Sequence, residues 1–214
     1  MNKTIKTLAA YLGIISVPII LIFLNIHNVM FDENWYHQQH AKDGIYDFWN
    51  KSIVDSETHN LLLFYKGKQF DTSLFNEKEK GHLNDVKGLY DVARLLFYSA
   101  VIVLIGACAL LRRKREIVTI LKRGALLAII IVLLLILMAT TDFTSFFTVF
   151  HKIVFANNNW MLNPETDNLI VMFPESFFIA FVTRILVKTV VMAVMLLGIT
   201  SVLSFRFKGA CVIF

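Results

Sequence analysis

Charge and cysteine are both scarce in this 214-residue sequence, and each scarcity excludes something. Asp, Glu, Lys and Arg together make up only 17% of the chain, whereas hydrophobic residues make up 57%. A soluble domain carries roughly a quarter charged and about half apolar residues, so a water-soluble globule is a poor fit. The two cysteines, Cys108 and Cys211, provide neither a disulfide framework nor a zinc-ligand spacing. Cys108 lies inside an apolar run, and the ending Cys211-Val212-Ile213-Phe214 only formally matches a prenylation box. Although the formal charge is +5, no basic stripe interleaved with aromatics is present, which argues against nucleic acid as a partner. Internal repeats and low-complexity segments are also absent.

What is present is four long apolar runs. Spans are expected at about 8–26, 92–111, 124–141 and 177–205, each meeting or nearly meeting the roughly 20 residues needed to cross about 30 Å of hydrocarbon. The first run carries Pro18 in its middle, which membrane helices tolerate. No A-x-A cleavage pattern follows it, so an uncleaved helix is expected rather than a signal peptide. The predicted fold class is therefore an all-α integral membrane protein, a single membrane domain over 1–214 with four transmembrane helices.

Between the spans lie two longer polar segments, 27–91 and 142–176. Basic residues collect elsewhere: Lys3 and Lys6, Arg112 to Arg115 with Lys122 and Arg123, and Arg206 with Lys208. The positive-inside rule then puts both termini in the cytoplasm and both long segments outside. In the first outer segment Leu61 to Tyr65 is too short to span, and Lys66-Gly67-Lys68 reads as a hairpin turn before Gln69-Phe70. Asn76 with Glu79 three residues on reads as a capping box opening a helix. His82, Asp85, Val86 and Leu89 then share one face by their spacing.

Six histidines occur, and two stand at comparable heights. His82 lies 30 positions before Arg112, and His151 lies 28 positions after Arg123. At about 1.5 Å per residue, continuous helices place them about 45 and about 42 Å above the inner boundary. Both then fall in the outer headgroup zone, where they could converge or could remain solvated surface residues. His27, His37, His40 and His59 are expected to be solvated. Asp85 is placed to orient His82, although an i+3 acid is also a common helix-surface neighbour. No metal site is expected, because nothing has ligand spacing. Arg184 and Lys188 lie one turn apart inside the last span; buried cations usually face a bundle interior or a functional cavity. The alternative for them is snorkelling, or pairing of Arg184 with an acid such as Asp142.

Together the two histidine segments are similar to a known family. The run Phe75-Asn76-Glu77-Lys78-Glu79-Lys80-Gly81-His82-Leu83-Asn84-Asp85-Val86-Lys87 resembles the outer-loop motif of the bacterial lipoprotein intramolecular transacylases. Phe150-His151 with Phe155, Trp160, Pro164, Asp167, Leu169-Ile170 and Phe173-Pro174-Glu175-x-Phe177 resembles their second motif. The resemblance implies a multi-pass protein of the bacterial cell membrane with its site at the extracytoplasmic face. The implied substrate is a diacylated lipoprotein among membrane lipids. Its sn-2 acyl chain would move from the glyceryl group to the α-amine of the N-terminal cysteine, giving the lyso form, and no cofactor, nucleotide or second lipid is required. Carried over residue by residue, His82 and His151 become the catalytic pair. Asp85 and Lys87, inside the matched motif, become candidates for orienting His82. Trp160 is a further substrate-site candidate that reads rather as an interfacial anchor. Arg184, by its place inside the last span and not by the resemblance, is a candidate for binding a phosphate or ester. Another membrane acyl hydrolase, or a tetraspan adaptor with no chemistry, are the competing readings.

Overall fold

The computed structural model describes residues 2–69 and 72–209, with side chains as far as 205. Nine helices and no strands occur among these residues. Four of them are long and apolar enough to cross a membrane: α1 (Lys3–Met30), α5 (Glu77–Leu111), α6 (Lys114–Thr141) and α9, which is helical over Glu175–Gly209. Each expected span lies inside one of these helices. The shorter elements are α2 (Glu33–Lys42), α3 (Ile45–Phe48), α4 (Lys51–Tyr65), α7 (Phe143–Val154) and α8 (Asn168–Met172). The Cys211–Phe214 ending lies outside the described residues.

The chain forms two compact units. One is drawn from the described parts of Met1–Ile26, Ala93–Leu137 and Ile185–Phe214. Its centre is Val17, Leu21, Ala128 and Ala193, with Leu104, Leu121 and Met192 packed around them. Small residues let helices approach closely where no water-driven force operates between them. A Cβ added at Gly124 of α6 would lie 2.5 Å from the Val17 Cβ and 3.0 Å from the Ile14 carbonyl oxygen. That carbonyl is the one that Pro18, having no N–H, leaves without its helical donor. Large apolar side chains such as Ile102, Ile105, Leu133 and Ile199 point outward, as lipid-facing residues do. Polar groups inside are satisfied locally. Asn25 donates to the Leu21 carbonyl at 2.8 Å, and Ser16, Thr189 and Thr200 each donate to the carbonyl four residues back.

The other unit comprises His27–Val92 and Met138–Arg184. Asp32 and Asn50 cap α2 and α4 through their side-chain oxygens. The expected hairpin at Lys66-Gly67-Lys68 does not form. Leu61 to Tyr65 is instead the last turn of α4, buried on its Leu61, Leu62 and Tyr65 face. Gly67 at φ +92° ends the helix: its N–H bonds Phe64 O, and Lys68 N–H reaches back to Leu63 O. This is the glycine-terminated helix end, which a turn-like tripeptide does not distinguish from a hairpin. Phe70, in the expected second arm, lies outside the described residues.

Two further expectations need correction. Arg184 does not pair with Asp142, which caps α7 instead; it binds Asp32 at 2.7 Å, with its guanidinium over the Trp35 ring. Nor are the four other histidines simply solvated. His40 is fully buried, hydrogen-bonded to Thr58 and stacked on Phe177. His27 bonds the Tyr90 hydroxyl, His37 meets Asp55, and exposed His59 meets Glu33.

Candidate active site

The start of α5 sets the site. The expected capping box is present and reciprocal. Glu79 N–H donates to the Asn76 side chain at 3.0 Å, and Asn76 N–H donates to Glu79 Oε2 at 2.6 Å. Glu79 is only 1% exposed because its other oxygen accepts the backbone N–H of Leu169, which covers it from the far side. The Asn76 side chain donates to Asp167 at 2.8 Å, and Lys78 Nζ reaches the Met161 carbonyl and Asp167. Asp167 also accepts the Asn163 N–H, and that bond, followed by Asn76 and Lys78, holds its carboxyl below the usual range.

The segment after α7 is therefore strapped along the first turns of α5. Two more contacts extend the strap. Asn157 donates to Asp85 at 2.9 Å, and a Cβ at Gly81 would lie 2.8 Å from the Asn159 amide nitrogen, so a larger residue there would push the Asn159 side chain aside. Asn168 also donates to the Leu74 carbonyl.

The second histidine comes from α7, whose apolar and polar positions divide sharply. Val149, Phe150 and Ile153 are exposed, whereas His151 between them is 6% exposed and points inward. Asp142 caps this helix at Ser145, and Thr144 donates to Glu175 at the start of α9.

His82 and His151 meet. Their ring centroids are 5.9 Å apart. Around them lie Phe147 and Trp160, which pack on His151 at 4.0 and 5.1 Å, and Phe155, which contacts both imidazoles. His151 Nδ1 lies 2.7 Å from the Phe147 carbonyl oxygen. A carbonyl can only accept, so Nδ1 carries the proton and the neutral ring's lone pair sits on Nε2. His82 Nδ1 is buried without a hydrogen-bond partner among the described residues.

Both imidazoles resist protonation. Burial, then the neighbouring His151, pushes His82 down to about 4, with Asp85 opposing. Burial likewise lowers His151, against the Phe147 carbonyl, which favours its charged form. His82 precedes the apolar stretch of α5 and lies outside the span proper.

Of the other candidate residues, Trp160 reaches the pair directly. Asp85 bonds Asn157 and not His82, Lys87 bonds Asp91 at 2.9 Å, and Arg184 is committed to Asp32. Sequence reasoning missed the strap, in which Glu79 and Asp167 carry most of the bonds. The run of asparagines from Asn157 to Asn168 was its available signal, since such residues seek nearby backbone and side-chain partners. Among the described residues, no group of three or more His, Cys, Asp or Glu converges as a metal ion would need.

The family model for lipoprotein intramolecular transacylase Lit matches residues 11–178. The chain is similar to the in meso structure of the membrane integral lipoprotein intramolecular transacylase Lit from Bacillus cereus. That likeness has a TM-score of 0.86 at 20% identity and covers 97% of this chain and 99% of that one. Two further structures of the Bacillus cereus protein, with a histidine replaced by arginine or by alanine, match at TM-scores of 0.81 and 0.80, also at 20% identity. The first covers 97% of this chain and 95% of that one, the second 96% of each. No curated protein matches the chain.

Proposed function

Because the chain belongs to the lipoprotein intramolecular transacylase family, we propose that His82 and His151 catalyse transfer of the sn-2 acyl chain of a diacylglyceryl-cysteine to the α-amine of that cysteine. The observation that carries this reading is the contact of the two imidazoles, brought from α5 and α7 into one aromatic pocket. The reaction breaks the ester C–O bond, forms an amide C–N bond and moves one proton from nitrogen to the departing glycerol oxygen. Nothing else is consumed, so a proton carrier and an oxyanion donor suffice.

We assign these roles from the two environments. His151 presents a basic Nε2, and the Phe147 carbonyl stabilises its imidazolium. It takes the proton from the attacking amine and returns it to the leaving oxygen. His82, pushed further from protonation, stays neutral and donates an N–H to the tetrahedral oxyanion. With donor ester and acceptor amine on one molecule, positioning supplies much of the rate. Asp85 holds the strap to α5 through Asn157, Lys87 is engaged by Asp91, Trp160 walls the pocket, and Arg184 holds the first outer segment through Asp32. The charge bias supports a site at the extracytoplasmic face, and membership of the family supports a bacterial cell membrane as its place.

The test is to express the protein in a bacterial host without its own N-acylating enzyme and fragment the N-terminal lipopeptide of an abundant lipoprotein. Reactant and product are isomers, so intact mass does not change. The expected result is an acyl chain on the amine-containing fragment. Loss of one acyl chain from the intact mass would mark a hydrolase, and an unaltered diacyl fragment pattern from well-expressed protein would leave only a non-catalytic role.

The protonation states give a second expected outcome. A free imidazole is half protonated near pH 6.5. In a histidine-selective NMR titration, His82 and His151 should both remain mostly neutral there and titrate at lower pH. A midpoint well above 7 for His151 would leave it protonated at neutral pH and remove its role as the resting base.

A further inference from the structure

In the unit built from α1, α5, α6 and α9 lies a crevice of about 420 Å³ that has no part in the histidine chemistry. Lys6 of α1, Arg113 of the turn between α5 and α6, and Arg115 and Arg123 of α6 line it. Among the described residues, none of the four is in an ion pair. The turn that presents Arg113 is unusually tight: two residues separate α5 from α6, and Arg112 takes φ +56°, a left-handed conformation rare outside glycine. Glu116 is the one acid on the lining, and one of its carboxylate oxygens is buried without a partner among the described residues. Ala10, Ile14 and nearly inaccessible Ile120 supply the apolar part of the walls. A second cavity of about 210 Å³ shares Thr7, Ala10, Ile14 and Arg123 with it and adds Tyr11, so the crevice runs on along α1.

We propose that this crevice binds one anionic glycerophospholipid of the inner leaflet. A phosphodiester answers the unpaired cations, a headgroup hydroxyl answers the unpartnered Glu116 oxygen, and an acyl chain lies along Ala10, Ile14 and Tyr11 of α1. Four cations facing one acid leave a surplus of positive charge where the charge bias places the cytoplasmic face. Basic pockets between membrane helices on that side suit anionic headgroups. A free phosphate would use the cations and leave the Ala10, Ile14 and Tyr11 side chains uncovered, so the lipid accounts for more of the site.

The test is native mass spectrometry of the full-length protein released from detergent. The added ligands are phosphatidylglycerol, phosphatidylcholine with the same acyl chains, or inorganic phosphate. One phosphatidylglycerol should be retained with about tenfold preference over phosphatidylcholine, and the double variant Arg113→Gln/Arg123→Gln should abolish that preference. Lys114→Gln/Lys122→Gln removes the same charge from neighbouring positions off the lining and should leave the preference intact. Equal loss in both double variants would reduce the effect to diffuse surface charge. Equal retention of the two lipids, or retention of phosphate in place of lipid, would overturn the assignment.

Discussion

Replacing either histidine by alanine is expected to abolish detectable N-acylation while leaving the protein in the membrane at normal abundance. General acid–base catalysis by one positioned group is worth about 10²–10⁴ in rate. The two losses should not multiply, because the imidazoles act on one tetrahedral centre and groups that work as a unit are strongly non-additive. The double variant should therefore be barely worse than either single one. The variants should also differ in kind. His82→Gln keeps an N–H donor and should retain measurable turnover, whereas His151→Gln removes the lone pair that accepts the proton and should not. Fragment-ion analysis of the lipopeptide from cells expressing each variant reads all of this. Full activity in either alanine variant would end the assignment of that residue.

Glu79 carries the second large expected effect, though it touches no substrate. Its two oxygens hold two backbone N–H groups, one at its own helix start and one at Leu169 on the far side of the strap. Hydrogen bonds to a charged group contribute about 1.5–3 kcal/mol each, so Glu79→Ala should cost about 3 kcal/mol or more and release the Asn157–Leu169 segment from α5. Trp160 travels with that segment, and the pocket around His151 loosens with it. We expect a lowered Tm together with a fall in kcat larger than any rise in KM. Glu79→Gln is the discriminating change. It fits the space but has one acceptor oxygen for two donors, so it should restore part of each loss. A Glu79→Ala protein with wild-type kcat and Tm would remove the strap from the mechanism.

Much of this was legible in the chain, and the reasons are physical. Four spans were visible because a membrane helix must be apolar all round for about 20 residues, a signal no soluble element imitates. The Asn76–Glu79 box was visible because both partners lie within one helical turn. Partners distant in sequence were not. Arg184 needed an acid, but nothing local distinguishes Asp32, which binds it, from Asp142, which caps α7. His40 illustrates the same limit, since its polar neighbours in sequence gave no hint of the Phe173 and Phe177 rings that enclose it. Contact between His82 and His151 was possible on height alone; their adjacency depends on the strap, and the strap depends on side chains about 90 positions apart.

The outward face of α7 carries a last consequence. Val149, Phe150 and Ile153 form an exposed apolar ridge on a helix whose opposite side holds His151, the pattern of an element lying in the lipid–water boundary. Enzyme and substrate are then confined to the same thin layer. The concentration that governs their encounter is moles of lipoprotein per mole of surrounding amphiphile, and the volume of the sample drops out. Extra detergent at fixed total substrate dilutes that surface and slows turnover, whereas extra buffer does not. Rate constants for this protein therefore take mole fraction, not molarity, as their natural unit.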